Sequence, residues 1–381
     1  MHFDFADHQE MLKATIDRFG EDHYGLSKRI RYQQTPSGFS EQNWKILSEL
    51  GLVGLPFAEQ YGGLDASASD LIAAFEGLGR RLVLEPISDC SILAGGVLQA
   101  GAHNAAQQQL CQDAAAGEKR VVLAHYEHAG RGSIAWCQAR AERLHNGGYR
   151  LNGVKSAVPY GAGADAFLVT AHTPGEVAGA PGMGVYVVKS DQTGLTAKIW
   201  RMVDGAPCAE LTFNNVEISA DAKLKGDGGL LMRPMARYFL STSAEALGLM
   251  ETMLAATLEH LRNRRQFGAP LSSFQALQHR MAAQYAALEQ CRSLIYWAAA
   301  ADTDDMQTFA HRIAGARAFV AEASVTLGHE AIQMHGGMGV TDELLVSHAH
   351  RRAFVLSRFP SDANTALDAF CLGAKHNCRA A

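Results

Sequence analysis

Arg264-Arg265-Gln266-Phe267-Gly268-Ala269-Pro270-Leu271, followed by Phe274-Gln275 and Gln278, is the stretch on which the reading of this chain turns. A second stretch, Gln333-Met334-His335-Gly336-Gly337-Met338-Gly339, belongs with it. An arginine fork can hold a pyrophosphate bidentately. A glycine pair lets backbone N–H groups approach an anion with no Cβ in the way. Each element has a plainer reading alone. Arg264-Arg265 could be a solvated helix end favoured by the helix dipole, and Gly336-Gly337 a simple helix stop.

Working outward, the residues around these stretches are spaced for helices. Leu240, Ala244, Leu247, Leu254, Leu258 and Leu261 share one face. So do Phe274, Leu277, Met281, Tyr285 and Leu288, and again Phe309, Ile313, Ala316, Val320 and Leu327. Three long amphipathic helices in series predict a bundle over 223–381. Residues 1–118 also read as helical, at Glu10 to Phe19, Glu41 to Leu50, Ser67 to Leu78 and Ala105 to Ala115. Between them, over 119–222, the period falls to two. The β-rich runs are Val121 to Ala124, Ala139 to Leu144, Tyr149 to Leu151, Ala166 to Ala171, Met183 to Val188 and Ala209 to Phe213. Asn146-Gly147-Gly148 marks a hairpin, and Gly226 to Gly229 a junction. The expected class is α+β: a helical domain (1–118), a small β-domain (119–222) and a helical bundle (223–381).

Composition narrows the function. The 381 residues exceed one ordinary core. The formal net charge of -5 offers no basic field for nucleic acid or an anionic membrane. No apolar run is long enough for a membrane-spanning helix. The acidic start, Met1-His2-Phe3-Asp4-Phe5, lacks the order of a signal peptide. Seven scattered cysteines form no C-x-x-C pair, so neither a disulfide framework nor a zinc site is expected. His348 and His350, at i, i+2, point to different helix faces and suggest no metal site. A reduced cytoplasm is the expected compartment.

The two glycine- and arginine-bearing stretches, the domain order, the opening "FDFADHQEMLKATIDRFGEDHY" and "ELGLVGLPFAEQYGG" resemble the acyl-CoA dehydrogenase family over nearly the whole chain. Within it the pattern resembles the small subunit of pimeloyl-CoA dehydrogenase and subunits of two-component bacterial enzymes, including those acting on steroid side chains. The resemblance implies FAD as cofactor and a clamp reaching across a subunit interface onto a neighbour's flavin. Arg264 would bind the pyrophosphate. Gln266, Phe267 and Gln275 would border the adenine end, and Gln333, Gly336 and Gly337 would complete the clamp.

The chain departs from the family where its own flavin ring would sit. Where relatives read about "A-x-T-E-P-x-A-G-S-D", it has Ala124-His125-Tyr126-Glu127-His128-Ala129-Gly130-Arg131-Gly132-Ser133. Tyr126 replaces the ring-binding Thr and His128 the Pro. Where relatives read "K-x-W-I-T", it has Lys155-Ser156-Ala157-Val158-Pro159. Ala157 replaces the Trp over the ring. Pro159 replaces the Thr whose hydroxyl meets the flavin, and it carries neither hydroxyl nor N–H. Tyr126 could restore one donor.

The base is altered as well. Oxidising an acyl-CoA requires removing the α proton while hydride leaves the β carbon. The family's Glu of "Y-E-G-T" aligns with Pro360 of Phe359-Pro360-Ser361-Asp362-Ala363. An alternative family position aligns with Tyr238, a poor base at neutral pH. Two carboxylates remain. Glu245 lies on a small, polar helix face with Ser241, Gly248, Thr252 and Ala256, where burial could raise its pKa, or it is a helix-surface Glu or a structural ion pair. Asp362 could be a base or a helix cap.

The reading with the best fit is one subunit of an FAD-dependent acyl-CoA dehydrogenase. It would supply a trans clamp in an α2β2 assembly and pass electrons to an electron-transferring flavoprotein. One alternative is a self-sufficient homo-oligomeric dehydrogenase or oxidase using Glu245 or Asp362. A non-catalytic scaffold is another.

Overall fold

The period-two region folds as a seven-stranded sheet, in a computed structural model that describes residues 6–173, 182–302 and 305–377. Met1 to Phe5 and Cys378 lie outside the described residues. The leading helices are α1 (Asp7–His23), α2 (Leu26–Gln33), α3 (Glu41–Glu49) and α4 (Ala68–Arg80). A π-helical segment, Ser88–Gly95, runs into α5 (Gly96–Gly101), and α6 (Ala105–Ala115) follows. The strands are β1 (Val121–Ala124), β2 (Arg140–Arg143), β3 (Tyr149–Pro159), β4 (Ala166–His172), β5 (Met183–Lys189), β6 (Leu195–Arg201) and β7 (Pro207–Ile218). Then come α7 (Met232–Asn263), the short pair β8 (Arg265–Gln266) and β9 (Ala269–Pro270), α8 (Gln275–Ala299), α9 (Met306–His335), α10 (Leu345–Arg358) and α11 (Ala363–Asn377).

Local chemistry sets the helix starts. Asn104 and Asp305 accept from the N–H groups of Gln107 and Thr308, and Ser67 with Asp70 forms a reciprocal capping box on α4. The predicted hairpin is present, with the Leu144 N–H donating to Gly148 O at 2.8 Å. The junction at Gly226 to Gly229 is a defined turn, in which the Asp227 carboxylate accepts from the Gly229 N–H at 2.8 Å. β6 was not anticipated. It is an edge strand paired to β7 alone, exposed along nearly all its length, so it lacks the in-out alternation that betrays a strand.

The chain packs as two compact units. One comprises Met1–Ile30, Ser67–Val83 and Phe239–Ala381; the other comprises Arg31–Ala66 and Leu84–Tyr238. In the first, α9 packs against α8, α10 and α11. The α7 stripe is buried at Leu240, Ala244, Leu247, Leu254 and Leu261. Where α7 meets α4, glycines permit the contact: a Cβ on Gly248 would sit 2.1 Å from Glu76 O, and one on Gly79 the same distance from Glu245 O. The α8 stripe is only partly covered. Met281 and Leu288 are buried, but Tyr285 is 57% exposed. Leu277, Met281 and Tyr285 line an open apolar groove of about 370 Å³ with Leu254, Leu258 and Leu261 of α7.

In the second unit the sheet order is β1-β4-β2-β3-β7-β6, with β5 on β4. The β3–β7 ladder shifts register between Lys155 and Val158, so Ser156 and Ala157 sit in a bulge.

Candidate functional site

The Arg264 stretch is not a frayed helix end. α7 stops at Asn263, and the chain closes a hairpin in which Arg265 pairs with Pro270 and Gln266 with Ala269. Phe267 and Gly268 form its tip, with φ of 51° and 80°. Two positive φ values in a two-residue loop match the hairpin twist, and Phe267 tolerates this poorly. Phe267 is nevertheless 90% exposed, touching the edge of the Phe274 ring with centroids 6.2 Å apart. Burial does not account for this strained, exposed aromatic.

Arg264, Gln266, Gln275 and Gln333 are all exposed. Gln275 opens α8, and Gln333 lies two residues before the end of α9. Its carbonyl accepts from the Gly336 N–H. Gly336 takes φ 64°, so it does stop the helix. A Cβ built on Gly268, Gly336 or Gly337 would meet nothing within 4 Å. These glycines leave open space above their backbone rather than relieving crowding inside the chain. Open space above these backbones, beside the exposed Arg264, leaves room for a group from outside the chain.

The arms of the clamp are tied together by a contact that the spacing did not reveal. His260, one turn before Arg264, lies against His335, the last residue of α9, with ring centroids 4.4 Å apart. The Arg264 N–H donates to His260 O at 2.8 Å. Neither histidine has a role assigned from the sequence: His335 lies inside the second quoted stretch, but its partner His260 is far from it along the chain and in no motif.

The ring-site residues have a different environment. Tyr126 is buried, and its hydroxyl lies 3.6 Å from the Met235 sulfur of α7. The donor that the sequence allowed it to restore is therefore turned inward, because the phenol reaches further than a Thr and packs on α7. Its carbonyl accepts from the Ser156 N–H in the bulge at 2.8 Å. Pro159 is buried at the end of β3, opposite Cys208. Tyr238 is buried too, and donates to Asp89 of the π-helical segment at 3.3 Å.

Behind Tyr126 is a buried charge network that the aligned residues concealed. The Lys155 ammonium is fully buried and donates to Glu127 Oε1 at 2.7 Å, Thr170 Oγ1 at 3.0 Å and His125 O at 3.1 Å. Glu127 also accepts from the N–H groups of Gln138 and Ala139 at 2.6 and 3.0 Å. Burial alone would raise the Glu127 pKa; Lys155 and these two N–H groups overcome it and hold the carboxyl below its usual value. Thr170 Oγ1 accepts a hydrogen bond from Lys155, so its own hydroxyl donates to His125 Nδ1 at 2.9 Å, and His125 Nε2–H donates to Ser133 O at 3.3 Å. Burial, reinforced by the Lys155 charge, pushes His125 down to about 4. The network fixes both ends of the 125–138 loop.

The two weak base candidates both have structural duties. Glu245 is buried, as its small, polar face suggested, but Arg352 of α10 grips it at 2.6 and 3.1 Å. Asp362 caps α11, accepting from Thr365 N and Oγ1 at 2.9 Å each, and these bonds lower its pKa. The 359–361 loop, where the family Glu would stand, is anchored by buried Arg317, which donates to the carbonyls of Leu356, Phe359 and Ser361 at 3.3, 3.1 and 2.7 Å. His348 and His350 do face apart, the first toward Arg29 and the second toward His329.

Two family models match the chain: the acyl-CoA dehydrogenase N-terminal domain over residues 6–118 and the C-terminal domain over residues 229–359. This is an acyl-CoA dehydrogenase family protein. The mitochondrial isovaleryl-CoA dehydrogenase of Arabidopsis thaliana is 29% identical over 370 residues, covering 92% of this chain and 87% of the relative. A solved FAD-dependent dehydrogenase is 25% identical with a TM-score of 0.87, covering 98% and 99% of the two chains. The ChsE4-ChsE5 complex of Mycobacterium tuberculosis shares the fold, with a TM-score of 0.89 at 24% identity over 98% and 99%. The protein is thus an oxidoreductase of an FAD-dependent family, with the family's helical, β-sheet and helical-bundle order. Among the described residues no helix is long and apolar enough to cross a membrane.

Proposed function

We propose that this acyl-CoA dehydrogenase family chain is the clamp-bearing subunit of a two-subunit, α2β2 enzyme, and that the flavin ring and the catalytic base belong to its partner. One contrast carries the reading. The clamp residues are exposed over open space, whereas Tyr126, Tyr238 and Pro159, at the positions that would serve this chain's own ring, are buried in contacts with their own chain. FAD supplies the hydride acceptor when bound. Arg264 would anchor its pyrophosphate, Gln266, Phe267 and Gln275 would border the adenine end, and Gln333 with the Gly336-Gly337 turn would complete the clamp. The groove of Leu254, Leu258, Leu261, Leu277, Met281 and Tyr285 adjoins the clamp and is the apolar face on which a second family subunit would pack. The ChsE4-ChsE5 complex is a solved precedent for two such chains together. The reaction would be α,β-dehydrogenation of a bulky or dicarboxylic acyl-CoA, with electrons passing to an electron-transferring flavoprotein.

Flavin stoichiometry tests this. The chain purified alone should carry no flavin, and the chain co-purified with its partner about one per two chains. About one flavin per lone chain, with acyl-CoA oxidation, defeats the proposal and favours a self-sufficient dehydrogenase or oxidase. Glu245→Gln and Asp362→Asn would then be the variants to assay.

A further inference from the structure

The stacked histidines at the base of the clamp have no assigned role, and three features suggest one. His260 and His335 are the point at which the arginine arm and the glycine arm touch. His335 Nδ1–H donates to Ala331 O at 2.8 Å, which fixes the tautomer and leaves Nε2 as a bare lone pair. The charges acting on His260 are His335 across the crossing and Arg264 one turn on, both repelling a proton. Nearby, Glu259 and Arg262 of α7 are exposed, and Glu330 of α9 is paired with Arg280.

We propose that His260 and His335 are a third binding element of the clamp, an imidazole pair that takes up a proton when the pyrophosphate of an adenine dinucleotide docks between the two arms. The inference rests on the clamp reading above. In the free protein, burial, His335 and Arg264 hold His260 below its ordinary value and so disfavour a proton on its ring. A dianionic pyrophosphate beside Arg264 reverses the local field. An anion within about 4–6 Å raises a histidine pKa by roughly 1–3 units, enough to protonate one ring at neutral pH. The new N–H then donates to the phosphate side. The sign follows: binding strengthens as pH falls, through the interval between the bound and free pKa values of the pair.

The test is proton linkage of FAD binding. The full-length chain, alone and co-expressed with its partner, is stripped of flavin and titrated with FAD by calorimetry at pH 7 in two buffers of different ionisation enthalpy. Net proton uptake is expected, with affinity about ten-fold higher at pH 6 than at pH 8. The double variant His260→Gln/His335→Gln should lose both the uptake and the pH slope. Arg264→Ala should weaken binding at every pH. A double variant that folds, by circular dichroism, and keeps the parental slope and uptake overturns the histidine proposal while the clamp reading stands. FAD binding indifferent to Arg264→Ala, or absent from both preparations, overturns the clamp reading and this inference with it.

Discussion

Lys155→Met is the substitution whose cost the structure defines best. The ammonium is fully buried, donates three hydrogen bonds and faces a carboxylate at 2.7 Å. Methionine fills similar volume, so the cost is electrostatic. It strands Glu127 as a buried anion with only two backbone donors, a situation that costs about 3–5 kcal/mol. Glu127→Gln strands the ammonium instead and should cost about 2–3 kcal/mol, since a buried lysine can shed its proton. Removing both charges in Lys155→Met/Glu127→Gln removes the stranded partner, so the double variant should lose at least about 2 kcal/mol less than the sum of the singles. Urea unfolding at pH 7, with the slope held constant across the cycle, measures all four corners. The acid limb gives a second check. The Glu127 pKa is held low in the fold, so its stabilisation is complete above the unfolded carboxylate pKa and is lost as pH falls through the folded value. In Lys155→Met that loss should begin at higher pH. Additive single losses, or a Lys155→Met cost below about 1 kcal/mol, would refute the network as described.

Other outcomes follow from named contacts. Folded His125 sits at about 4 against about 6.5 unfolded, so its share of stability is present above pH 6.5 and is lost as pH falls toward 4; His125→Asn should reduce the stability difference between pH 7 and pH 5 by about 2 kcal/mol, measured by urea unfolding at the two pH values. Gly248→Ala drives a Cβ to 2.1 Å from the Glu76 carbonyl oxygen, and separating α4 from α7 should cost about 3 kcal/mol in thermal unfolding. Asp362→Ala deletes the α11 cap for about 1 kcal/mol and, on the proposal above, leaves the assembled enzyme's turnover unchanged. Arg317→Met releases three carbonyls of the 356–361 segment, and limited proteolysis should then cut there well before it cuts the parent.

What the sequence disclosed, and what it hid, divides along a physical line. Periodicity exposed elements whose one face is buried. α6 runs over Ala105–Ala115, as read, and the α7 and α9 stripes are core. It failed where the environment is not two-faced: β6 is exposed along nearly all its length, and the Ser88–Gly95 π-helical segment is buried all round. The α8 stripe misled in the opposite sense, because Tyr285 and Leu277 are apolar at helical spacing yet face an open groove. Period reports what a face avoids, which is water, and is silent on whether the cover comes from the same chain. The same limit applies to the site. Arg264 and Gly336-Gly337 stood out because their pattern depends on residue type and local backbone alone, and the structure leaves all three exposed. Glu245 was legible as buried, but its partner was not, because Arg352 arrives from a helix 107 residues away. His260 with His335, Glu127 with Lys155 and Arg317 with its three carbonyls are likewise partnerships created by the fold. A polar residue on an otherwise small, buried helix face therefore gives the question, and only the packed neighbour decides whether it is a base or a brace.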